Sequence, residues 1–478
     1  MKKLNTLNLL LVIVCCLPFS LSLLAQTDAH YWTSQFGAKG LLLNGAVIAS
    51  TEDETAIFYN PGAMTSDDDF NFSLSFLTPT YSILTTENFL SNNTTVKDRN
   101  FGFAPGLGSF GFNPWGSEKV RMAITSFTRF KSSIRFRGRI VNEVSGSPDQ
   151  LFIGNLEFQR SLSERWIGCG ASYKINDYFS IGLSQFMTFH SESNDVDLRK
   201  ELVDRNNPTL ITLGWRNQLK YNYSTKGGLI TKLGSLAKFG DVKIGLTITS
   251  PTYAYSYSSA SYEFNDLKIY GQDSTILVSN LNGAKLQNYK TPLSIGFGLA
   301  FPIRKTKVSF SIEYFKAIST YTVIQDTDDP FDGLAPGGEE NSVLVETGNQ
   351  RVVNFAIGCE TQLSEKLSLI WGFRTDFNQR RLSNDIESLQ FLSTTPDVFH
   401  VSIGNTFEIW NSNFSYGLDY GFGSRTDDTQ LINFSKTSSE NFFNLTGDGS
   451  VISKFQSINF ILAYDFSFRK KRKREKKK

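Results

Sequence analysis

The last strand-like stretch of the chain alternates apolar and polar residues in the pattern typical of a β-strand. From Ser457 to Phe468 the even positions hold only Ile, Phe, Leu and Tyr, whereas the odd positions hold Ser, Asn, Ala and Asp, with Ile461 as the exception. Successive strand residues point to opposite faces, so the segment has one apolar and one polar face. The same period recurs at 367–376 and 413–424. This pattern predicts an all-β chain.

The residues of the two faces indicate where each face points. The polar face is rich in Gly, Ser and Thr, the apolar face is rich in Phe and Tyr, and 14% of the chain is aromatic. In a soluble sandwich the apolar face would form the core. In a membrane barrel it faces lipid and the polar face lines the lumen. The aromatic content favours the barrel.

Fourteen segments carry this alternation, and the lengths of their connections support the same conclusion. The segments lie near 69–86, 100–112, 119–137, 165–174, 178–195, 219–235, 242–262, 285–302, 307–325, 350–363, 367–382, 397–409, 413–424 and 454–468. Short connections alternate with long ones of roughly a dozen to thirty residues. Outer-membrane barrels have short periplasmic turns and long external loops. The sequence therefore predicts a fourteen-stranded antiparallel transmembrane β-barrel with both termini in the periplasm.

Residues 1–25 read as a secretory signal. Lys2 and Lys3 precede an apolar stretch at 9–24, and Ala25 is a suitable residue before the cleavage site. A lipoprotein cut before Cys15 is the alternative. Two cysteines, Cys169 and Cys359, remain after the cut and lie far apart in sequence, which argues against a disulfide scaffold and against a clustered cysteine metal site.

The positive charge of the chain is concentrated at its end. The segment 469–478 carries nine basic residues and one acidic residue, or +8, whereas the whole chain has a net charge of only +2. The remainder is therefore acidic, which argues against a nucleic-acid-binding fold because such a fold spreads basic residues over one face. We expect 469–478 to form a basic periplasmic tail.

The segment from Gly37 to Met64 reads GAKGLLLNGAVIASTEDETAIFYNPGAM and ends in the motif Asn60-Pro61-Gly62. It resembles the N-terminal plug of the FadL/TodX (OmpP1) family of outer-membrane channels for hydrophobic compounds. That family usually has Asn-Pro-Ala at this motif, so Gly62 is a departure. The resemblance implies a plug at 26–66 inside a barrel formed by 67–468, and fourteen strands is also the family's number. Within the plug, 54–64 is a candidate short helix.

The third predicted strand is the second candidate functional region. Its odd positions, expected to face inward, include four candidate ligand-binding residues: Arg121, Phe127, Arg129 and Lys131. Hydroxyl residues interrupt the outward series of the same strand, and in the resembling family this strand is kinked and opens a lateral gap. The basic residues could attract a carboxylate-bearing ligand. Alternatively, they could pair with acids of the lumen or of the plug, where Glu52, Asp53 and Glu54 are available.

Several other features of the sequence bear on function. Inward-facing apolar residues, unusual for a water-filled channel, are expected at Phe186, Phe315, Ile370, Trp410 and Ile461. Acidic clusters at 67–69 and 326–332 lack the spacing of a defined calcium site. The only histidines are His30, His190 and His400, and no Ser–His arrangement marks a nucleophile. The sequence therefore predicts no enzyme, no metal and no cofactor. The stretch 150–162 is either a short helix or an extension of a strand.

The resemblance implies an integral outer-membrane channel of a Gram-negative bacterium. Its implied function is the passive uptake of hydrophobic small molecules, with long-chain fatty acids as the leading class, gated by the plug. The alternatives are a shuttle or anchor barrel of type IX protein secretion and, less favoured, a general porin. The expected partners are a hydrophobic ligand (a fatty acid or hydrocarbon), outer-membrane lipid with lipopolysaccharide, and the barrel assembly machinery, which the aromatic last strand would engage. No nucleic-acid partner is expected.

Overall fold

The computed structural model describes most of the chain. The described residues are 29–65, 70–75, 78–104, 106–144, 146–253, 257–271, 273–281, 285–286, 289–325, 344–380, 395–409, 412–430, 432–435, 442–443, 447 and 449–468. The predicted signal peptide, the basic tail, both acidic clusters and Trp410 lie outside them. Among the described residues, no helix has the length and apolar content needed to cross a membrane.

The described residues form two short α-helices, two 3₁₀ turns and twenty-one strands. The helices are α1 (Gly37–Leu42) and α2 (Ala56–Tyr59), and the 3₁₀ turns are Pro61–Ala63 and Pro114–Gly116. The strands are β1 (Phe70–Ser75), β2 (Thr78–Glu87), β3 (Thr95–Ala104), β4 (Leu107–Phe112), β5 (Val120–Val144), β6 (Ser147–Lys174), β7 (Phe179–Asp204), β8 (Ile211–Phe239), β9 (Val242–Thr249), β10 (Tyr257–Tyr270), β11 (Asp273–Leu281), β12 (Lys285–Leu286), β13 (Ser294–Ile303), β14 (Thr306–Phe315), β15 (Ile318–Gln325), β16 (Leu344–Asn349), β17 (Val352–Ser364), β18 (Leu367–Asp376), β19 (Val398–Ile409), β20 (Ser412–Thr429) and β21 (Ser450–Phe468).

Fourteen of these strands close into a ring. In order they are β1, β4, β5, β6, β7, β8, β9, β13, β14, β17, β18, β19, β20 and β21, and β21 pairs back onto β1 from Phe70↔Phe468 to Ser75↔Ala463. Every pairing is antiparallel. Strands β2 and β3 continue the wall past the ends of β1 and β4. They pair with each other, and β2 also pairs with β21. The predicted fourteen-stranded antiparallel barrel is confirmed.

The outer surface of the ring is apolar. Large hydrophobic side chains are exposed at alternate positions on almost every wall strand, as at Phe460, Leu418, Ile403 and Leu233. Trp115 lies 97% exposed at the end of the ring where the short turns join the strands. A continuous apolar outer band is what a lipid bilayer requires of a barrel. The barrel is therefore transmembrane with its apolar face outward, as predicted, and we call its two ends the short-turn end and the long-strand end.

Strands β5 to β8 are longer than predicted. The sequence placed a long loop between 137 and 165, but β5 runs to Val144, β6 begins at Ser147, and only a tight turn joins them. The stretch 150–162, predicted as a helix or a strand extension, belongs to β6. Beyond the lipid-facing band these strands project from the long-strand end.

In this projection the polarity of the two faces is reversed. The inner face is an apolar core in which Phe136, Phe152 and Phe158 pack against Phe434 and Phe442 of the segment that precedes β21. The outer face is polar, with hydroxyl pairs such as Ser161–Ser193 at 2.7 Å. The projection thus has a core of its own, in the manner of a soluble sheet.

A β-bulge in β5 exchanges the two faces of that strand. Its pairing with β6 shifts between Thr128 and Phe130, which leaves Arg129 as the extra residue. Before the bulge the odd positions are buried, and after it the even positions are buried. The predicted inward basic series is therefore wrong beyond Arg129, because Lys131 points outward and Phe130 points inward.

The N-terminal residues 29–65, which we call the plug segment, lie inside the ring. Four inward-facing wall serines donate hydrogen bonds to its backbone carbonyls: Ser109 to Glu54, Ser180 to Gly62, Ser184 to Ile57 and Ser402 to Leu42, at 2.6–3.2 Å. Buried carbonyls need such partners. The small hydroxyl residues of the inner face thus hold the plug segment.

The helices of the plug segment are shorter than predicted. The candidate helix at 54–64 consists of α2 and a 3₁₀ turn that begins at Pro61, and α1 at Gly37–Leu42 was not anticipated. The described inward apolar residues, Phe186, Phe315, Ile370 and Ile461, are all at most 3% exposed and belong to the clusters that join wall and plug segment.

Candidate functional site

The motif Asn60-Pro61-Gly62 connects the plug segment to the wall. The Asn60 side-chain amide donates to the carbonyls of Ile48 and Ser235, each at 2.9 Å, so it joins two parts of the plug segment to β8. Its carbonyl oxygen accepts a hydrogen bond from the Gly62 amide at 3.1 Å. Asn60 is completely buried, so these bonds satisfy polar atoms that water cannot reach.

Glycines on three neighbouring wall strands form the seat of this motif. They are Gly182 on β7, Gly234 on β8 and Gly245 on β9, and a Cβ on any of them would collide with Pro61, Asn60 or the Ile48 carbonyl. Gly62 faces the same constraint, because its Cβ would lie 2.6 Å from the Gly234 carbonyl oxygen. This close approach explains why glycine replaces the alanine usual in the resembling family.

Glu52 attaches the plug segment to the wall near the short-turn end. One of its carboxylate oxygens lies 2.7 Å from Lys238 Nζ and 3.0 Å from Lys243 Nζ. Burial alone would raise the pKa of Glu52, but the two ammonium groups outweigh it and lower the pKa to about 2. The carboxylate is therefore charged at neutral pH and binds β8 and β9. Glu52 was one of the acids expected to be available to the basic residues of the third predicted strand, but its partners are Lys238 and Lys243.

Two of the four candidate ligand residues contact the plug segment but do not line the cavity described below. Arg121 is buried, donates to the side-chain oxygen of Asn113 at 3.0 Å, and approaches Gly111 together with Glu54. Phe127 is also buried, and its ring lies 4.6 Å from that of Phe36. Both residues therefore hold wall and plug segment together.

A cavity lies between the plug segment and the wall. Aromatic and aliphatic residues form about half of its lining, among them Phe58 and Tyr59 from the plug segment and Trp166, Ile230 and Phe315 from the wall. Small-molecule sites in proteins are concave and combine an apolar lining with a few fixed polar groups.

The charged groups that line this cavity are two cations and one carboxylate, beside uncharged polar residues such as Gln35 and Thr291. The Arg129 guanidinium lies 4.6 Å from the ring centre of Trp166, and its Nη1 is 3.7 Å from Glu164 Oε1. Lys232 Nζ donates to the Phe58 carbonyl at 2.6 Å. Arg129 therefore reaches the cavity because the bulge places it there, and it is the one candidate ligand residue of the four that lines this space.

The carboxylate of the cavity already has its partners. Glu313 accepts a hydrogen bond from Trp32 Nε1 at 2.8 Å and one from the Ser294 hydroxyl at 2.7 Å. These bonds tie the plug segment to β13 and β14. Lys232, Glu313 and Trp166 were missed by the sequence analysis, although the first two are inward charges on predicted strands and could have been found by the same test that selected Arg129.

The wall beside Arg129 contains a seam. Strand β4 pairs with β5 only as far as Leu107↔Phe127. Beyond that point no backbone ladder joins β3 to β5 among the described residues; the Asn100 side chain instead donates to the Ser133 carbonyl at 3.0 Å. The seam begins next to the bulge, where the resemblance implies a lateral gap.

A second cavity lies on the long-strand side. Phe130, Leu162 and Glu192 line it together with Tyr289, whose ring stacks on His190 at 3.7 Å. Phe130 follows Arg129 in the chain, so the two cavities lie on either side of the bulge. A ligand that passes along the inner wall from one end to the other would meet both.

The chain resembles known proteins in structure but not in sequence. No protein-family model and no curated protein sequence matches the chain. Solved structures do match. A FadL homologue of Pseudomonas aeruginosa superposes with a TM-score of 0.58 at 10% identity, over 92% of this chain and 100% of the other. This chain has the FadL/TodX fold.

Two further structures of the FadL/TodX fold agree. The toluene transporter TodX of P. putida matches with a TM-score of 0.55 at 13% identity, over 91% of this chain and 99% of that one. The toluene transporter TbuX of Ralstonia pickettii matches with a TM-score of 0.52 at 12% identity, over 91% and 99% of the two chains. The fold predicted from the resemblance is therefore confirmed over nearly the whole barrel.

Proposed function

We propose that this protein is an outer-membrane channel for the passive uptake of hydrophobic small molecules, with long-chain fatty acids as its leading ligand class and the plug segment as its gate. The observation that carries the proposal is the cavity at Arg129. It combines aromatic and aliphatic side chains with two cationic ones, and its single carboxylate, Glu313, is already hydrogen-bonded to Trp32 and Ser294. The barrel around it has an apolar outer band.

The chemistry of the cavity favours a molecule with a long apolar part and one anionic end. Phe58, Trp166 and Phe315 offer an apolar surface that competes with lipid for a hydrocarbon chain. Arg129 and Lys232 offer charge-assisted hydrogen bonds to a carboxylate. The FadL homologue and the toluene transporters have the same fold, which supports transport of hydrophobic compounds by this chain as well.

The proposed path has two exits from the cavity. One is the seam above Leu107↔Phe127, where β3 and β5 lack a backbone ladder among the described residues. The other leads past the plug segment, and needs the Asn60 motif to leave its seat or shift within it. The extensive contacts of that seat argue against a permanently open, water-filled porin.

The bound-ligand content of the purified protein tests this proposal. We expect protein extracted in a mild detergent to carry long-chain fatty acid, detected by organic extraction and mass spectrometry, at up to about one molecule per chain. An equally abundant outer-membrane barrel without a plug, prepared in parallel, serves as the control for detergent-carried lipid. Fatty acid at the control level, with a co-purifying protein cargo, would favour the secretion shuttle instead.

A further inference from the structure

Five basic side chains point outward on both sides of the seam. Lys97 and Arg99 belong to β3, and Lys131, Arg135 and Arg137 belong to β5, where the bulge has turned them outward. On each strand they alternate with residues that point inward. We call these five residues the seam patch.

The seam patch lies where the lipid-facing band ends. On β3, Phe101 is 65% exposed, and Arg99 is the next outward residue toward the long-strand end. On β5 the outward series passes from the exposed Ile124 through two hydroxyl residues to Lys131. Lipid head groups occupy this boundary between apolar chains and water.

The two halves of the seam patch are close to each other. The hydrogen bond from Asn100 to the Ser133 carbonyl places β3 beside β5 at this height. Arg99 is the immediate chain neighbour of Asn100, and Arg135 is the next outward residue after Ser133. Basic side chains from both strands therefore converge on one outer surface.

Few acidic groups neutralise this surface. Among the described residues, Lys97, Arg99 and Arg135 form no ion pair. Arg137 pairs with Glu157 at 3.4 Å, and both side chains are more than half exposed. The nearby carboxylate Asp98 points inward, where it accepts from Asn100 at 2.7 Å. A pair as exposed as Arg137–Glu157 is weak and is easily exchanged for another anion.

We propose that the seam patch binds the phosphate groups of a phosphorylated membrane lipid, with the acyl chains of that lipid lying against Phe101 and Ile124. The basic side chains supply the head-group contacts, and the end of the apolar band supplies the chain contacts. A free anion would make only the contacts with the basic side chains, whereas a lipid also makes the contacts with the apolar band. The seam thus opens beside a bound lipid.

The test compares lipid retained by the wild type with lipid retained by the double variant Arg99→Gln/Arg135→Gln. The control is Lys305→Gln/Lys366→Gln, which removes two exposed basic residues at the short-turn end. Each basic residue near anionic lipid contributes about a fivefold factor in affinity, so the double variant is expected to bind about 30-fold more weakly. Native mass spectrometry of titrations with a diphosphorylated lipid A measures this.

Two further arms distinguish a phosphorylated lipid from its alternatives. Competition with inorganic phosphate is expected to displace little lipid, because it lacks the chains; full displacement at equal concentration would show a simple anion site and overturn the proposal. The dephosphorylated form of the same lipid is expected to bind the wild type as weakly as the double variant does. Equal retention by all three proteins would also refute it. Unchanged heat-modifiable gel mobility verifies that each variant is folded.

Discussion

Fatty-acid uptake through the Lys232→Gln variant is expected to fall by about 10- to 100-fold, while uptake of an uncharged alkane of similar length stays near the wild-type rate. Lys232 lines the cavity, and a charge-assisted hydrogen bond contributes about 1.5–3 kcal/mol. An alkane makes no such bond, so it loses only apolar contacts. Arg129→Gln is expected to act in the same direction.

The controls for this prediction come from the same inner wall. Arg121→Gln removes another inward basic residue of β5 that does not line the cavity, so the ratio of the two uptake rates is expected to stay unchanged. Arg129→Gln also leaves the buried Glu164 carboxylate without its cationic partner. An uncompensated buried charge destabilises the folded protein. Lys232→Gln avoids that problem. If fatty acid and alkane uptake decline together in Lys232→Gln, the cavity does not select a carboxylate.

The Gly234→Val variant is expected to make the outer membrane at least about tenfold more permeable to small hydrophilic solutes. A side chain at this position collides with Asn60 and with Pro61 Cδ, which lies 2.7 Å from the Cβ position. Overpacking of this kind costs about 1–3 kcal/mol, and the displaced Asn60 also loses its bond to the Ser235 carbonyl. The plug segment therefore leaves its seat for a larger fraction of the time, which opens the lumen to water.

The matched control is Ser235→Val, on the same strand and one residue away. Ser235 alternates with the inward-facing Leu236, so its side chain points away from the plug segment. Conductance of single channels in planar bilayers, and entry of a small hydrophilic antibiotic into cells, measure the effect. Wild-type permeability in Gly234→Val, with the barrel correctly folded, would show that the seat of Asn60 does not gate the lumen.

The barrel could be predicted because its signals are local and repeated. Alternation in segments such as 457–468 follows from the geometry of a single strand. Short turns and long loops alternate along the chain, as they do in outer-membrane barrels. Each strand adds an independent piece of evidence. The fourteen-stranded ring and its apolar outer band therefore needed no knowledge of long-range contacts.

The bulge at Arg129 could not be predicted, because it is defined by two strands together. The residues 120–137 alternate plausibly in either register, and only the pairing with β6 shows where one residue is extra. A single slip reverses every later side chain. Lys131 was therefore assigned to the lumen although it faces outward. The extensions of β5 to β8 beyond the membrane were missed for a related reason. Their inner faces are apolar, whereas the inner face of the membrane-spanning ring is polar.

The cavity was predicted only in part because it depends on how the plug segment folds. Arg129 was selected from its strand, but the space beside it is completed by Phe58 and Tyr59 of the plug segment. No pattern within one strand reveals such a surface. Gly62 is the opposite case, since the sequence flagged it as a departure and the structure supplies the reason, a Cβ position 2.6 Å from the Gly234 carbonyl oxygen.

The most direct test of the central claim is uptake itself. The protein would be expressed in a bacterial host whose own channel for long-chain fatty acids has been deleted, and entry of radiolabelled oleate would be followed over minutes. The proposed function predicts that the wild type restores saturable uptake and that Lys232→Gln does not, at equal amounts of folded barrel in the outer membrane. Oleate entry no faster than in the host without the protein would contradict it.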